Sequence, residues 1–286
     1  MPGTSEATVG FPQPDRRTEL SDYPLIKPAW ADLSWLTAFT VQARRGQAGG
    51  LSAGMHDVQR AEATADEVFD FTACVCEGSR RDLEHALAPL EVTWLSLEHE
   101  DNIIDLGHGN TDDITAPEHG LRADAAIISQ PGTAVAFTTA DCLPILLVSE
   151  NSRVAAGIHA GWKSLAAGIV EGVVQRLERD YDVSAADLRA WIGPAVARED
   201  YEISTEVRDA LLVRPAVTSE CFTDTKPGHF LADLPMAATQ ILTALGVPSD
   251  KITHHPGSTR HDVRLHSARR DSGRAGRMAT VVGVTM

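Results

Sequence analysis

Apolar residues recur along this chain with two different periods. Across residues 164–181 they fall at Leu165, Ala166, Ile169, Val170, Val173, Val174 and Leu177, a helical spacing that predicts one amphipathic helix. Residues 205–213 and 235–245 carry the same spacing, the second closed by Gly246. Shorter alternating or continuous apolar runs predict strands at 35–42, 67–76, 123–129, 187–192 and 280–284. Three further β-rich runs lie at 92–98, 135–141 and 154–158. Ser79 is placed to cap a short helix at 80–88 that stops before Pro89. The Gly-containing polar stretches 44–50 and 105–120 read as loops, and Gln130-Pro131-Gly132 as a turn. Residues 1–27 are rich in Pro, Gly, Ser, Thr and charge and predict a disordered N-terminal tail ahead of a single domain at 28–286. Short strands interleaved with helices, without strict βαβ alternation, predict an α+β fold.

Composition narrows the partners. With 286 residues and 43% apolar content the chain has material for a sizeable core. Its net charge of -15 repels a phosphate backbone, so nucleic acid is not an expected partner. No run approaches the roughly 18 apolar residues that span a bilayer, and the N-terminus lacks the basic and apolar segments of a secretory signal. Four cysteines, Cys74, Cys76, Cys142 and Cys221, are too sparse for a disulfide framework, which points to a reduced, cytoplasmic setting. Nothing in the pattern fixes an oligomeric state.

The candidate chemistry lies at the ends of three apolar runs. His99 follows 92–98, Cys142 follows 135–141, and His159 follows 154–158. Strand ends present side chains from a rigid scaffold. Two imidazoles and a thiolate make a zinc set with one coordination position open, the catalytic arrangement rather than the closed structural one. Their spacing matches no local metal motif. Taken singly, each residue also fits a plainer reading: a buried core cysteine, a core or capping histidine, and an exposed histidine paired with Glu98 and Glu100.

Longer words bear on this choice. Thr139-Ala140-Asp141-Cys142-Leu143-Pro144, His159-Ala160-Gly161-Trp162-Lys163, Ile192-Gly193-Pro194-Ala195, Phe230-Leu231-Ala232-Asp233-Leu234 and His266-Ser267-Ala268-Arg269-Arg270-Asp271 occur in that order. From about residue 30 to 286 the chain resembles the YfiH-like family, also called laccase-domain or polyphenol oxidase proteins. The resemblance implies a mixed β-sandwich-like core flanked by helices, and a zinc ion (with copper as the alternative) held by His99, Cys142 and His159. It implies phosphorolysis of adenosine, inosine and methylthioadenosine, and deamination of adenosine, with nucleoside and phosphate as the small-molecule partners. The chain departs from the family pattern in three places, one of them a late family cysteine replaced near His254-His255. Glu98-His99-Glu100 stands where a Gln-x-His-Gly setting is usual, leaving His108 as a second candidate for the first ligand. Ala43-Arg44-Arg45-Gly46 only loosely represents an early Thr-Arg-x-Gly-Gly loop.

Phosphorolysis needs an anion site, and arginine binds phosphate oxygens in pairs. Arg44, Arg45, Arg269, Arg270 and Arg277 are the candidates, with Trp162 as a surface on which a base would stack. Asp141, Glu98 and Glu202 are candidate proton carriers for deamination, with Asp141 expected in a supporting position. Three rival readings remain. One is a copper-dependent phenol oxidase, although the chain has no His-x-His pair of the kind that multicopper sites use. Another is a metal-free Cys-His amide hydrolase acting in peptidoglycan precursor editing. The third is a metal-binding protein without turnover.

Overall fold

The central apolar runs do not alternate with polar residues because both of their faces are covered. Leu143–Ser149 and Val154–Ala160 are buried at every position. The computed structural model describes residues 19–42, 77–107, 120–149, 151–272 and 275–286. Among these, the first elements are β1 (Leu25–Ile26), β2 (Leu36–Val41), α1 (Glu77–Leu87), β3 (Glu91–Ser96), β4 (Ile103–Asp105), β5 (Leu121–Arg122) and β6 (Ala125–Ile128). The centre follows with β7 (Thr133–Thr139), β8 (Leu143–Ser149), β9 (Val154–Ala160), α2 (Trp162–Ala167), α3 (Ile169–Tyr181) and β10 (Leu188–Ile192). Then come β11 (Glu202–Ser204), α4 (Thr205–Leu212), β12 (Phe222–Lys226), β13 (His229–Ala232), α5 (Leu234–Ala244), β14 (Ile252–His254), α6 (Ala268–Asp271) and β15 (Met278–Val284).

Two six-stranded mixed sheets form the centre, ordered β1-β2-β15-β7-β3-β5 and β14-β10-β8-β9-β6-β4, and β11-β13-β12 make a small third sheet. The side-chain period of two sorts each strand between layers. In β7, Val135 and Phe137 enter the core shared by the two large sheets, while Ala134 and Ala136 face the layer that holds Leu83 and Leu87 of α1. In β8, Leu146 and Val148 face that shared core, while Leu143, Ile145 and Leu147 pack with α3 and α5. The result is the α+β architecture expected: a β-sandwich-like core flanked by helices. Each fully buried Leu, Ile or Phe contributes about 1.5–3 kcal/mol of burial free energy. No helix among the described residues is long and apolar enough to cross a membrane.

Several local expectations change. The single helix at 164–181 is two helices, because Gly168 adopts φ 95° and its N–H closes α2 onto Ser164 and Leu165 carbonyls. The periodic pattern runs unbroken through this point since both helices bury the same face. Ser79 lies inside α1 and caps nothing, as the helix already begins at Glu77. Residues 1–18 of the expected tail at 1–27 lie outside the described residues, while its last part is structured. Leu25–Ile26 pairs with β2, and Tyr23 is buried against the outer face of the first sheet, where their apolar side chains find cover. The strand at 67–76, the loop at 44–50, Cys74 and Cys76 lie outside the described residues.

Candidate metal centre

Period-two alternation along β9 decides where His159 points. Ala156, Ile158 and Ala160 face the helices, so His159 shares its face with Ala155, between the two large sheets. It is 2% exposed. Cys142 sits in the turn between β7 and β8, after Asp141, whose φ of 96° makes the turn sharp. Buried Asp141 is held there by Thr259 Oγ1, which donates to its Oδ1 at 2.5 Å, and by the Arg269 amide, which donates to Oδ2 at 2.8 Å. Its role is to fix the turn, as expected, but through a left-handed backbone rather than an extended one.

His99 lies past the end of β3 with φ 60°, an unusual conformation for a non-glycine residue. Asp124 stabilises it. The buried carboxylate accepts the backbone amides of Glu98 at 3.1 Å, His99 at 2.9 Å and Glu100 at 3.0 Å. Oδ1 also accepts His159 Nδ1 at 2.8 Å. One carboxylate therefore orients both histidines. With Nδ1 committed to Asp124, Nε2 of His159 is the nitrogen left to bind. The two imidazoles meet edge to face, with ring centroids 4.7 Å apart. The ligand atoms of His99, Cys142 and His159 all lie within 4.8 Å of one another.

The electrostatics follow from this packing. Burial alone would raise the Cys142 thiol, but hydrogen bonds and charge from His159 and His99 lower it to about 6. Burial alone would lower His159, but Asp124 and Cys142 raise it to about 9. Burial would likewise raise Asp124, yet the hydrogen bonds from His159, Glu100 and His99 hold it below the usual carboxylate range. Between those two values the pair is a thiolate beside an imidazolium. A divalent cation held here would take the place of the imidazolium proton as partner of the sulfur.

The triad lines a cleft of about 390 Å³, with Leu95, Ser96, Thr138, Thr139, Arg80 and Arg277 among its walls. Of the anticipated anion-binding residues that are described, the structure brings Arg277 to this cleft, where its Nη1 also donates to the Ala275 and Gly276 carbonyls. It moves Arg270 out of the set, because that guanidinium is bound to the carbonyls of Thr259, Asp262 and Leu265 and to Asp271. Arg269 lies instead over the Tyr201 ring at 4.2 Å. Trp162 opens α2 and packs against the helical core away from the cleft lining. Arg44, Arg45 and His108 lie outside the described residues. The proposed proton carriers are committed elsewhere: Glu98 to Arg122 and Asn102, and Glu202 to Lys226.

Sequence reasoning missed Asp124 and Arg80. Asp124 had a signal, a lone acid inside the apolar run 123–128, where a buried charge demands a partner. Arg80, next to Arg81 in a polar helix, had none.

Two nitrogens and a sulfur at the open end of a two-sheet sandwich define a site able to hold one soft divalent ion. The chain belongs to the family described as multi-copper polyphenol oxidoreductase laccase, whose model matches residues 42–285. It is 34% identical over 258 residues to a protein of Pseudomonas aeruginosa named purine nucleoside phosphorylase, covering 89% of this chain and 98% of that one. It is 29% identical over 262 residues to the purine nucleoside phosphorylase YfiH of Escherichia coli, covering 90% and 98%. YlmD from Geobacillus stearothermophilus matches in structure with a TM-score of 0.72 at 25% identity, covering 96% of this chain and 100% of that one. A Neisseria meningitidis protein matches with the same score and identity, covering 92% and 99%.

Proposed function

We propose that this chain is a zinc-dependent purine nucleoside phosphorylase, acting on adenosine, inosine or methylthioadenosine, which also deaminates adenosine at the same centre. The observation that carries the reading is the convergence of His99, Cys142 and His159 in a cleft that a cationic side chain, Arg277, also lines. The relatives named purine nucleoside phosphorylase favour a purine nucleoside as the substrate.

The residues fit a zinc ion. Two imidazoles and a thiolate are its usual donors, and the same soft set also takes copper. The space before them is kept by Gly161, where a Cβ would approach Cys142 Sγ to 3.2 Å and His99 Cδ2 to 3.5 Å. When bound by these three side chains, zinc supplies Lewis-acid polarisation at a coordination position left open to a reactant.

The chain's own residues do the rest. Asp124 holds His159 and the His99 backbone in one orientation, so the donors are preorganised. The cleft volume lies in the range that encloses a nucleoside-sized ligand. Arg277 provides positive charge for a phosphate. Phosphorolysis is favoured over deamination as the main activity, because Glu98 and Glu202 are already paired and no acid is among the described residues that line the cleft. A multicopper oxidase reading is disfavoured, since the described residues offer one such cluster and the sequence has no His-x-His pair.

The test is base release from inosine and adenosine by zinc-loaded protein, with and without phosphate. Phosphate-dependent release of hypoxanthine or adenine, abolished by chelation and restored by zinc, is the expected result. No release at full zinc occupancy, or release unaffected by chelators, overturns it. The second outcome favours the metal-free hydrolase.

A further inference from the structure

One cation in the cleft is unclaimed by any interaction described so far. Arg80, on the first turn of α1, lines the same cavity as His99, Cys142 and His159. Its Nε is buried and has no hydrogen-bond partner. The guanidinium lies over the Trp94 ring at 4.4 Å. The acid one turn on, Glu84, uses its Oε1 to accept Trp94 Nε1 at 2.7 Å. Trp94 thus fixes the face of the guanidinium by stacking and binds Glu84, whose charge still acts on Arg80 from one turn away. Among the described residues, Arg80 Nε is left without a hydrogen-bond partner.

A buried donor without a partner is costly, and one on a cation more so. Such a group persists where a ligand completes it. Thr139, another residue of the lining, likewise has a buried hydroxyl without a hydrogen-bond partner among the described residues. Arg277 is the other arginine of the lining among the described residues, but its Nη1 is already held by two carbonyls. Planar stacking with free N–H donors at the edge is the geometry that suits an oxyanion.

We infer that Arg80 is the principal phosphate-binding residue of this cleft, contacting the anionic co-substrate through its guanidinium edge while Trp94 holds its plane. This rests on the phosphorylase reading for its substrate, and the stacked guanidinium in the cleft lining, with its Nε lacking a hydrogen-bond partner, carries it. The site is specific for a tetrahedral oxyanion rather than for the purine.

The experiment compares wild type, Arg80→Gln and Arg80→Lys, all zinc-loaded. Two quantities are measured: KM for phosphate and for inosine, and the Kd of inorganic phosphate by calorimetry without nucleoside. Arg80→Gln raises the phosphate KM and Kd by at least ~10-fold and leaves the inosine KM within about 2-fold. Arg80→Lys, which keeps the charge but loses the fork, recovers part of the loss. Zinc stoichiometry stays unchanged in both. Equal rises in both KM values, or an unchanged phosphate Kd, overturn the assignment. If wild type releases no base, the phosphorylase reading fails, and the calorimetric Kd still decides for or against Arg80. If Arg80→Gln does not fold, Arg80→Lys decides: a phosphate Kd equal to wild type overturns the role of the fork.

Discussion

Asp124 and His159 are joined twice. The carboxylate oxygen accepts the ring Nδ1 at 2.8 Å, and the Asp124 carbonyl accepts the His159 amide at 2.7 Å. Side chain and backbone are therefore fixed together. The same carboxylate collects the amides around His99, so a residue outside the triad sets the position of two of its three members. Metal ligands oriented in this way bind more tightly, because less ordering is left to occur on binding.

Asp124→Asn keeps the volume but loses charge and acceptor capacity. Zinc affinity should fall roughly 10–100-fold, read by competition with a chromophoric chelator. An unchanged affinity would mean that the histidines are held by other contacts.

Metal removal should expose a reactive thiol. The Cys142 thiol is lowered to about 6, so its thiolate is absent well below that pH and dominant above it. In chelator-treated protein, the iodoacetamide rate at Cys142 should rise through about pH 6 and level off by neutrality, and zinc should suppress it. A rise only near the ordinary thiol value of 9 would contradict the imidazole pairing.

Gly161→Val should damage the centre and spare the fold. The backbone there is ordinary, with φ -77°, so strain is not the issue. Contact is: the first added carbon already stands 3.2 Å from Cys142 Sγ. Zinc stoichiometry and activity should drop while far-ultraviolet circular dichroism is preserved. Full zinc binding in this variant would show that the space before the sulfur is not needed.

Gly168→Ala should act on stability instead. Its φ of 95° disfavours any side chain, and the new carbon would lie 2.9 Å from the Arg214 guanidinium, which pairs with Glu171 at 2.8 Å. A loss of about 1–3 kcal/mol is expected, read from denaturant midpoints, with zinc affinity unchanged.

The elements themselves were largely legible in the chain. Helical spacing located α4 and α5, and apolar runs located β2, β7, β9, β10 and β15, because those patterns report which face is buried. The break at Gly168 was not legible, since both helices present one continuous apolar face and only the backbone reverses. Nor was the ordered start at Tyr23 and Leu25–Ile26, whose composition is that of a tail and whose stability comes from pairing with β2. At the site, Cys142 and His159 were visible within distinctive words, and His99 only as the residue after an apolar run. Arg269, Arg270 and Trp162 belonged to the same words but serve the scaffold, since a motif records which residues recur together and not which way each side chain points.

Taken by itself, the linear order of residues determined where many of the strands and helices form and which side chains were chemically capable of gripping an ion. Local periodicity suffices for that, because burial on one face is a short-range pattern. Only folding decided that sulfur and nitrogen atoms from three distant segments meet. It also decided that Asp124 anchors both imidazoles and that Arg80 faces the same cleft. Those relationships depend on which strands lie side by side, and that is settled by packing two sheets and their helices around shared cores.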